Sequence, residues 1–294
     1  MDVIEKTMAY TSLAKEYLAL TKPGIVTLVL ITTLGGFYIG SKGNIDGFLV
    51  FWTLAGTGLA AAGSAVINMV LDRDLDSLME RTSSRPLPKG SVGVSAAMTL
   101  GLFLVLASFL VMFFLVNSMS AFLTVLASFS YVVLYTILLK RKTPVATEIG
   151  GISGALPPVI GYAAATGFVD VKAFVLFLIM FMWQPPHFWA LAIKYKDDYS
   201  RAGVPALPVV RGVHVTRVKT LLYTVSLLPL SLLPYLVGIA GKLYFAVAGV
   251  SSAIYVILTV RLLFSTKKDE MKLFFFSIIY IAIVFSAMIL DLVK

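Results

Sequence analysis

Asn68, Asp72 and Asp76 are spaced by four residues. On a helix each step of four turns about 40°, so the three side chains lie along one stripe. Two carboxylates and an amide oxygen on one stripe suit Mg²⁺, which takes oxygen ligands and binds through carboxylates together with substrate phosphates. The bland alternative is a solvated helix end whose acids pair with Arg73, Arg81 or Arg85. Asn68 lies inside an apolar run, and polar groups inside membrane segments tend to be functional. Arg81, Arg85 and Lys89 follow the stripe, and a diphosphate needs cations besides its metal. Arg85-Pro86-Leu87-Pro88 cannot be helical throughout, so it forms a stiff turn that could fold over the stripe.

A second acidic segment, Lys194-Tyr-Lys-Asp197-Asp198-Tyr199, also follows an apolar run. Asp197 comes 125 residues after Asp72. Four helices fit between them, and an even number returns the chain to the same face. The pattern hints at a duplicated four-helix unit, though no residue-by-residue repeat supports it. Adjacent acids on a helix point about 100° apart, which leaves open whether this segment holds a second metal.

His187 follows Pro185-Pro186 and lies between Trp183 and Trp189, seven residues before Lys194. A lone histidine in an apolar stretch is often a hydrogen-bonded packing residue, but a membrane interior favours a functional one. The proline pair should bend or loosen the helix and aim the ring inward. His214, in a basic loop, reads as a solvated surface residue. Glu148 has two readings: a salt-bridged acid at a helix start, favoured by the dipole, or a site carboxylate.

These residues need a scaffold, and the composition names it. Of 294 residues, 59% are apolar and 13% charged, against about 25% charged in ordinary domains. Mean hydropathy is +0.93. A soluble domain could not cover itself with so few polar groups, which excludes an ordinary cytosolic enzyme or a disordered chain. Cysteine is absent and histidine occurs twice. That rules out disulfides, thiolate zinc, iron–sulfur clusters, a cysteine nucleophile and multi-histidine metal sites. The net charge of +9 fits basic loops on an anionic bilayer surface better than it fits nucleic acid.

Charge-free runs cover 23–41, 47–71, 90–139, 149–169, 173–193, 220–241, 243–260 and 273–290. A helix crosses the hydrocarbon core with about 20 residues. The run at 90–139 must therefore hold two helices, with the turn at Asn117-Ser118. The expected fold is an all-α, polytopic membrane bundle of nine transmembrane helices around a central cavity. Spans are expected near 23–41, 48–71, 94–116, 119–139, 147–168, 172–193, 219–240, 243–263 and 272–292, after a cytoplasmic segment 1–22. Of the Lys and Arg residues, 20 fall on the side of Met1 and 4 on the other. The N-terminus is thus expected in the cytoplasm and the C-terminus outside, with both acidic loops cytoplasmic. No cleavable targeting segment is expected, because residues 1–22 carry Asp2, Glu5 and Glu16. The loops 72–89 and 194–219 are too short for a soluble core, so 1–294 reads as a single integral-membrane domain.

Several segments together resemble the UbiA-type intramembrane prenyltransferases, and within them the branch that farnesylates protohaem IX. They are Leu20-Thr-Lys-Pro-Gly24, Asn68-x-x-x-Asp72-Arg-Asp-Leu-Asp76, Arg81-Thr-x-x-Arg85-Pro-Leu-Pro88, Glu148-Ile-Gly-Gly-x-x-Gly-Ala-x-Pro-Pro158, Trp183-Gln-x-Pro-His187-Phe-Trp189 and Lys194-Tyr-Lys-Asp-Asp-Tyr199. The resemblance runs from about residue 18 to the chain end. It implies that Mg²⁺, held by Asn68, Asp72, Asp76 and Asp197, binds the diphosphate of farnesyl diphosphate. Arg81, Arg85, Lys89, Lys140, Lys194 and Asp198 would complete the donor site. The acceptor would be a vinyl group of haem B, a substrate rather than a prosthetic group. Water would complete a hydroxyethylfarnesyl side chain. His187, Asp72 and Asp76 would be the catalytic residues, with His187 as iron ligand or proton carrier.

The resemblance further implies a place in the cell membrane and a downstream haem A synthase or terminal oxidase that receives the product. Trp183, Trp189, Tyr131, Tyr135 and Tyr162 either line a porphyrin pocket or pack and anchor the helices. In the second loop, Tyr195 and Tyr199 stand where most of the superfamily has aspartates, a pattern that looks like the haem branch. Two rival readings remain. One is a related prenyltransferase acting on an aromatic or lipid acceptor. The other is a small membrane transporter, marked by broken helices and a midplane charged site; here the polar clusters lie at the cytoplasmic helix ends and charged residues near span centres are missing, which speaks against it.

Overall fold

The computed structural model describes residues 13–265 and 269–293. Lys6, Lys267, Lys268 and Lys294, which entered the count of basic residues, lie outside the described residues, as do Asp2 and Glu5. Among the described residues, nine long helices make up the bundle: α1 Pro23–Gly40, α2 Gly47–Leu71, α3 Val94–Leu115, α4 Ser118–Leu139, α5 Ala146–Thr166, α6 Val171–Lys194, α7 Gly212–Leu236, α8 Lys242–Phe264 and α9 Glu270–Leu290. Among the described residues the only extended pairing is an isolated bridge between Ala240 and Leu292.

Eight of the nine are long and apolar enough to cross a membrane. The exception is α5, which has 21 residues but is rich in glycine, alanine and proline. Its composition follows from its place, because it packs closely between α1, α4 and α6. Ala155, Val159, Ile160 and Ala163 are all buried. By contrast α3 shows Leu102, Phe103, Leu106 and Phe114 to the outside. An apolar exterior around a tightly packed middle is what a bilayer solvent demands. Of the nine expected membrane spans, eight are therefore found among the described residues; α5 is present as a helix of lower mean hydropathy.

Small residues let backbones touch. A Cβ on Gly36 of α1 would lie 1.9 Å from the Pro158 carbonyl oxygen. A Cβ on Gly161 of α5 would lie 1.9 Å from the Thr33 carbonyl oxygen. The two glycines thus lock α1 and α5 together from opposite sides. Asn117 makes the expected turn between α3 and α4. Its Oδ1 accepts from the Ser120 N–H at 2.8 Å, and its Nδ2 donates to the Ala163 carbonyl at 3.0 Å.

The polar loops gather at one end of the bundle. Arg141 after α4 pairs with Asp74 after α2 at 2.7 Å, and Lys219 of α7 pairs with Glu148 of α5 at 3.0 Å. Arg201 after α6 reaches Glu80 at 3.2 Å. Inside the bundle, α6 runs unbroken through Pro185 and Pro186.

Candidate active site

The stripe exists. Asp72 ends α2, and its N–H bonds the Asn68 carbonyl at 2.9 Å. The short helix Arg73–Leu78 carries the turn on, with the Asp76 N–H on the Asp72 carbonyl at 2.8 Å. All three side chains are buried. Asn68 Nδ2 donates to Asp72 Oδ2 at 2.7 Å and to Thr136 Oγ1 at 3.0 Å. Lys140 forms a tight ion pair with the same Asp72 oxygen. Arg85 Nη1 donates to both Asp76 oxygens, at 2.9 and 2.7 Å. Arg85 itself is extended, and Pro86–Lys89 makes one helical turn. That turn takes both prolines because the first turn of a helix does not use their missing N–H groups.

Lys22 completes the cluster, and the sequence did not single it out as a site residue. Its Nζ donates to Asn68 Oδ1 at 2.8 Å, where the Tyr131 hydroxyl also donates at 3.1 Å. Lys22 reaches there from a left-handed backbone, φ +51°, immediately before Pro23. Such a conformation in a non-glycine residue costs about 1–3 kcal/mol and persists where surroundings over-determine it. Burial, with Arg85 and Lys140 nearby, lowers the Lys22 ammonium to about 7. Three basic side chains, Lys22, Arg85 and Lys140, thus face two carboxylates, and a bound anion would hold all three charged.

Thr136 and Tyr131 belong to a π-helical stretch, Ser130–Leu139, at the end of α4. Single π turns are frequent at functional sites, and here the widened turn carries Tyr131, Tyr135, Thr136 and Lys140 to the stripe.

The donor chemistry fits a divalent metal. Asp72 Oδ1 is buried and has no hydrogen-bond partner among the described residues. An orphaned carboxylate oxygen is costly unless something binds it. Asn68 is placed differently from expectation. Its oxygen accepts from Lys22 and Tyr131, and its Nδ2 donates to Asp72 and Thr136, so it orients the carboxylate. Among the described residues, no three histidine or acidic side chains gather to hold a metal unaided, which leaves coordination positions for phosphate oxygens and water.

The second loop departs from expectation. Asp197, expected as a metal ligand, is exposed and has no tie to Asp72 or Asp76. Asp198 is the buried one. It ion-pairs with Arg201 and accepts from the Arg81 N–H at 3.4 Å, so it fastens one loop to the other. The phase of the short helix Lys196–Arg201 decides which acid turns inward. The Arg81 guanidinium lies over the Tyr195 ring at 5.2 Å. Lys89 and Lys194 are exposed, and no hydrogen bond or ion pair among the described residues ties them to the cluster. Glu148 takes the salt-bridge reading: it pairs with Lys219, while its neighbour Thr147 lines the cavity below.

That cavity, about 370 Å³, opens between α1, α2, α4, α5 and α6. Its size falls within the range of small-molecule sites, about 300–1,000 Å³. Lys22, Tyr131 and Tyr135 form its wall beside the charged cluster, and Ile25, Val29, Ala60, Ala65, Pro157 and Ile160 give an apolar interior. Gln184, His187 and Phe188 of α6 form another wall. Of the five aromatics expected at a porphyrin pocket or in packing, only Tyr131 and Tyr135 line the cavity, stacked at 5.9 Å. Trp183 donates to the Ser277 carbonyl, Trp189 packs on Tyr223, and Tyr162 donates to Asp170; these three serve packing.

Residues 29–284 match the model of the UbiA prenyltransferase family. A relative named protoheme IX farnesyltransferase, from Aquifex aeolicus (strain VF5), is 63% identical over 290 residues, covering 99% of each chain. A solved structure described as a digeranylgeranylglyceryl phosphate synthase is similar with TM-score 0.80 and 22% identity, covering 95% of this chain and 98% of that one. A UbiA homologue from Archaeoglobus fulgidus, bound to GPP and Mg²⁺, is similar with TM-score 0.64 and 18% identity, covering 93% of this chain and 99% of that one. At such identities the two structures bear on the fold alone.

Proposed function

The chain belongs to the UbiA prenyltransferase family, and on that premise we propose that it transfers a farnesyl group from farnesyl diphosphate to a vinyl group of haem B. The full-length relative at 63% identity carries that activity in its name. The observation that carries the reading is the cation-rich cluster set at the mouth of an apolar cavity. It matches a donor with an anionic head and a greasy tail.

Asp72 and Asp76 are the residues that would hold Mg²⁺, as the metal in the Archaeoglobus relative suggests. Bound there, the metal would neutralise charge on the departing diphosphate. Lys22, Arg85 and Lys140 meet the remaining phosphate oxygens. Asn68 keeps Asp72 in register. The C–O bond to diphosphate breaks, the vinyl π pair forms the new C–C bond, and water adds to the other vinyl carbon with loss of a proton. The cavity walls keep bulk water from the allylic cation until then. His187, on the α6 wall, serves the acceptor.

The protein is a multi-pass membrane protein. We place it in the cell membrane as one integral unit with the charged mouth, and the N-terminus, on the cytoplasmic side. The product, haem O, would pass to a haem A synthase or a terminal oxidase. The test uses purified protein in detergent with farnesyl diphosphate, haem B and Mg²⁺. Mass spectrometry should find haem carrying farnesyl plus one water, and chelation of Mg²⁺ should abolish it. Prenylation of an aromatic or lipid acceptor, with haem left unchanged, would overturn the assignment. Failure to consume any prenyl diphosphate would favour a transporter.

A further inference from the structure

The His187 ring is held on three sides. It stacks on Trp183 with centroids 4.7 Å apart and planes at 19°, and on Phe274 at 4.4 Å and 24°. Its Nδ1 lies 2.7 Å from Ser277 Oγ. The Ser277 hydroxyl has a single proton and lies within reach of both the Phe274 carbonyl, at 2.5 Å, and His187 Nδ1. With that proton on the carbonyl, which can only accept, the hydroxyl accepts from Nδ1–H and Nε2 keeps its lone pair. The Ser277 carbonyl accepts the Trp183 indole N–H at 2.7 Å, so one buried residue of α9 fixes both the ring and its stacking partner.

In that tautomer His187, which lines the cavity from α6, carries a nitrogen lone pair on a clamped ring. Among the described residues lining the cavity there is no carboxylate and no other imidazole. A proton carrier gains nothing from being stacked on two faces. A metal ligand does, because its bond direction must be fixed. Ligating histidines typically donate the other ring N–H to a protein acceptor, which sets the tautomer. Ser277 is such an acceptor.

We propose that Ser277 positions His187 as an axial ligand to the iron of the incoming haem, and that this contact selects the metallated porphyrin over metal-free protoporphyrin IX. The inference rests on haem being the acceptor. No bond to the vinyl group is involved. The ligand holds the macrocycle while the vinyl edge meets the donor.

The experiment titrates purified protein in detergent, without farnesyl diphosphate, with haem B and with protoporphyrin IX, following optical absorption. Wild type should bind haem more tightly, with a spectrum of histidine ligation. In His187→Ala haem affinity should fall to that of protoporphyrin IX, whose own binding should not change; added imidazole should restore the spectrum. Ser277→Ala should weaken haem alone by about tenfold, the usual effect of removing a partner of a ligating histidine. Ser277→Thr should recover it. Unchanged protoporphyrin binding shows that each variant is folded. Equal affinity of wild type for both porphyrins, or a preference that survives His187→Ala, overturns the proposal. If haem is nevertheless farnesylated, only the ligand assignment falls. If haem neither binds nor reacts, the acceptor assignment falls and takes the ligand with it.

Discussion

Lys22 Nζ and Asn68 Oδ1 lie 2.8 Å apart, joining residues 46 positions apart in the chain. Lysine can only donate, so this contact identifies the facing amide atom as oxygen and turns Nδ2 toward Asp72. Asn68 is thereby a bridge from a buried ammonium to a carboxylate with one orphaned oxygen. The charged cluster is built from the residue before α1, the end of α2 and the end of α4, and each contributes one part that the others orient.

Lys22→Met removes one of three neighbouring cations. Donor affinity should fall by about tenfold or more, since a hydrogen bond to a charged group contributes about 1.5–3 kcal/mol. Stability should hold or rise, because burial and two like charges oppose the ammonium in the protein without donor. Farnesyl diphosphate KM and thermal unfolding, measured together, check both halves. An unchanged KM removes Lys22 from the donor site.

Asp72→Asn keeps the shape and removes the carboxylate proposed to hold Mg²⁺. Turnover should drop by at least about a hundredfold, or about 2.7 kcal/mol, the scale of losing one transition-state electrostatic contact. The variant should still fold in membranes, because the amide oxygen can accept from Lys140. Turnover near wild type at ordinary Mg²⁺ would refute a metal role for Asp72.

Arg85→Lys retains charge but loses the guanidinium that grips Asp76 and, in the proposed function, the diphosphate. KM for farnesyl diphosphate should rise several-fold in Arg85→Lys and further in Arg85→Ala, with haem affinity unchanged. Equal donor affinity in wild type and both variants would dismiss the assignment.

Gly36→Ala should be poorly tolerated. Its Cβ would collide with backbone, the Pro158 carbonyl oxygen at 1.9 Å, and backbone cannot step aside as a side chain can. Overpacking of this kind costs about 1–3 kcal/mol or more. Gly24→Ala is the control, with nothing within 4 Å of its Cβ. Thermal unfolding in detergent should separate the two; equal stability would mean that α1 and α5 are not locked at Gly36.

The parts legible in the sequence were those set by helical period and by side of the membrane. The stripe Asn68, Asp72, Asp76 needs only the 3.6-residue repeat, and Lys140 needs only the even count of helices before it. Lys22 was hidden because its reach depends on a left-handed turn before Pro23, which no periodicity reports. The aromatics were ambiguous for another reason. Trp183, Trp189 and Tyr162 sit on helices that are apolar on nearly every side, so the pattern gives no phase and cannot tell the cavity wall from the packing face. Ser277 lay in a run with no charge to mark it.

Asp197 and Asp198 show the same limit at its sharpest, and they give the last prediction. Adjacent residues differ by about 100° around a helix, so a shift of one residue exchanges the exposed acid for the buried one. The chain resolves the choice through Arg201 and the Arg81 backbone, both of which engage Asp198. Asp197→Asn should therefore leave turnover and Mg²⁺ requirement within about twofold of wild type, as surface substitutions change little, within about 0.5 kcal/mol. Asp198→Asn should loosen the Arg81 loop, raise KM for farnesyl diphosphate several-fold and lower the unfolding temperature, while its Mg²⁺ requirement stays put. The two Mg²⁺ titrations decide between loop fastener and metal ligand. If Asp197→Asn instead demands far more Mg²⁺, the exposed acid is a ligand after all, and the short helix must turn inward when donor binds.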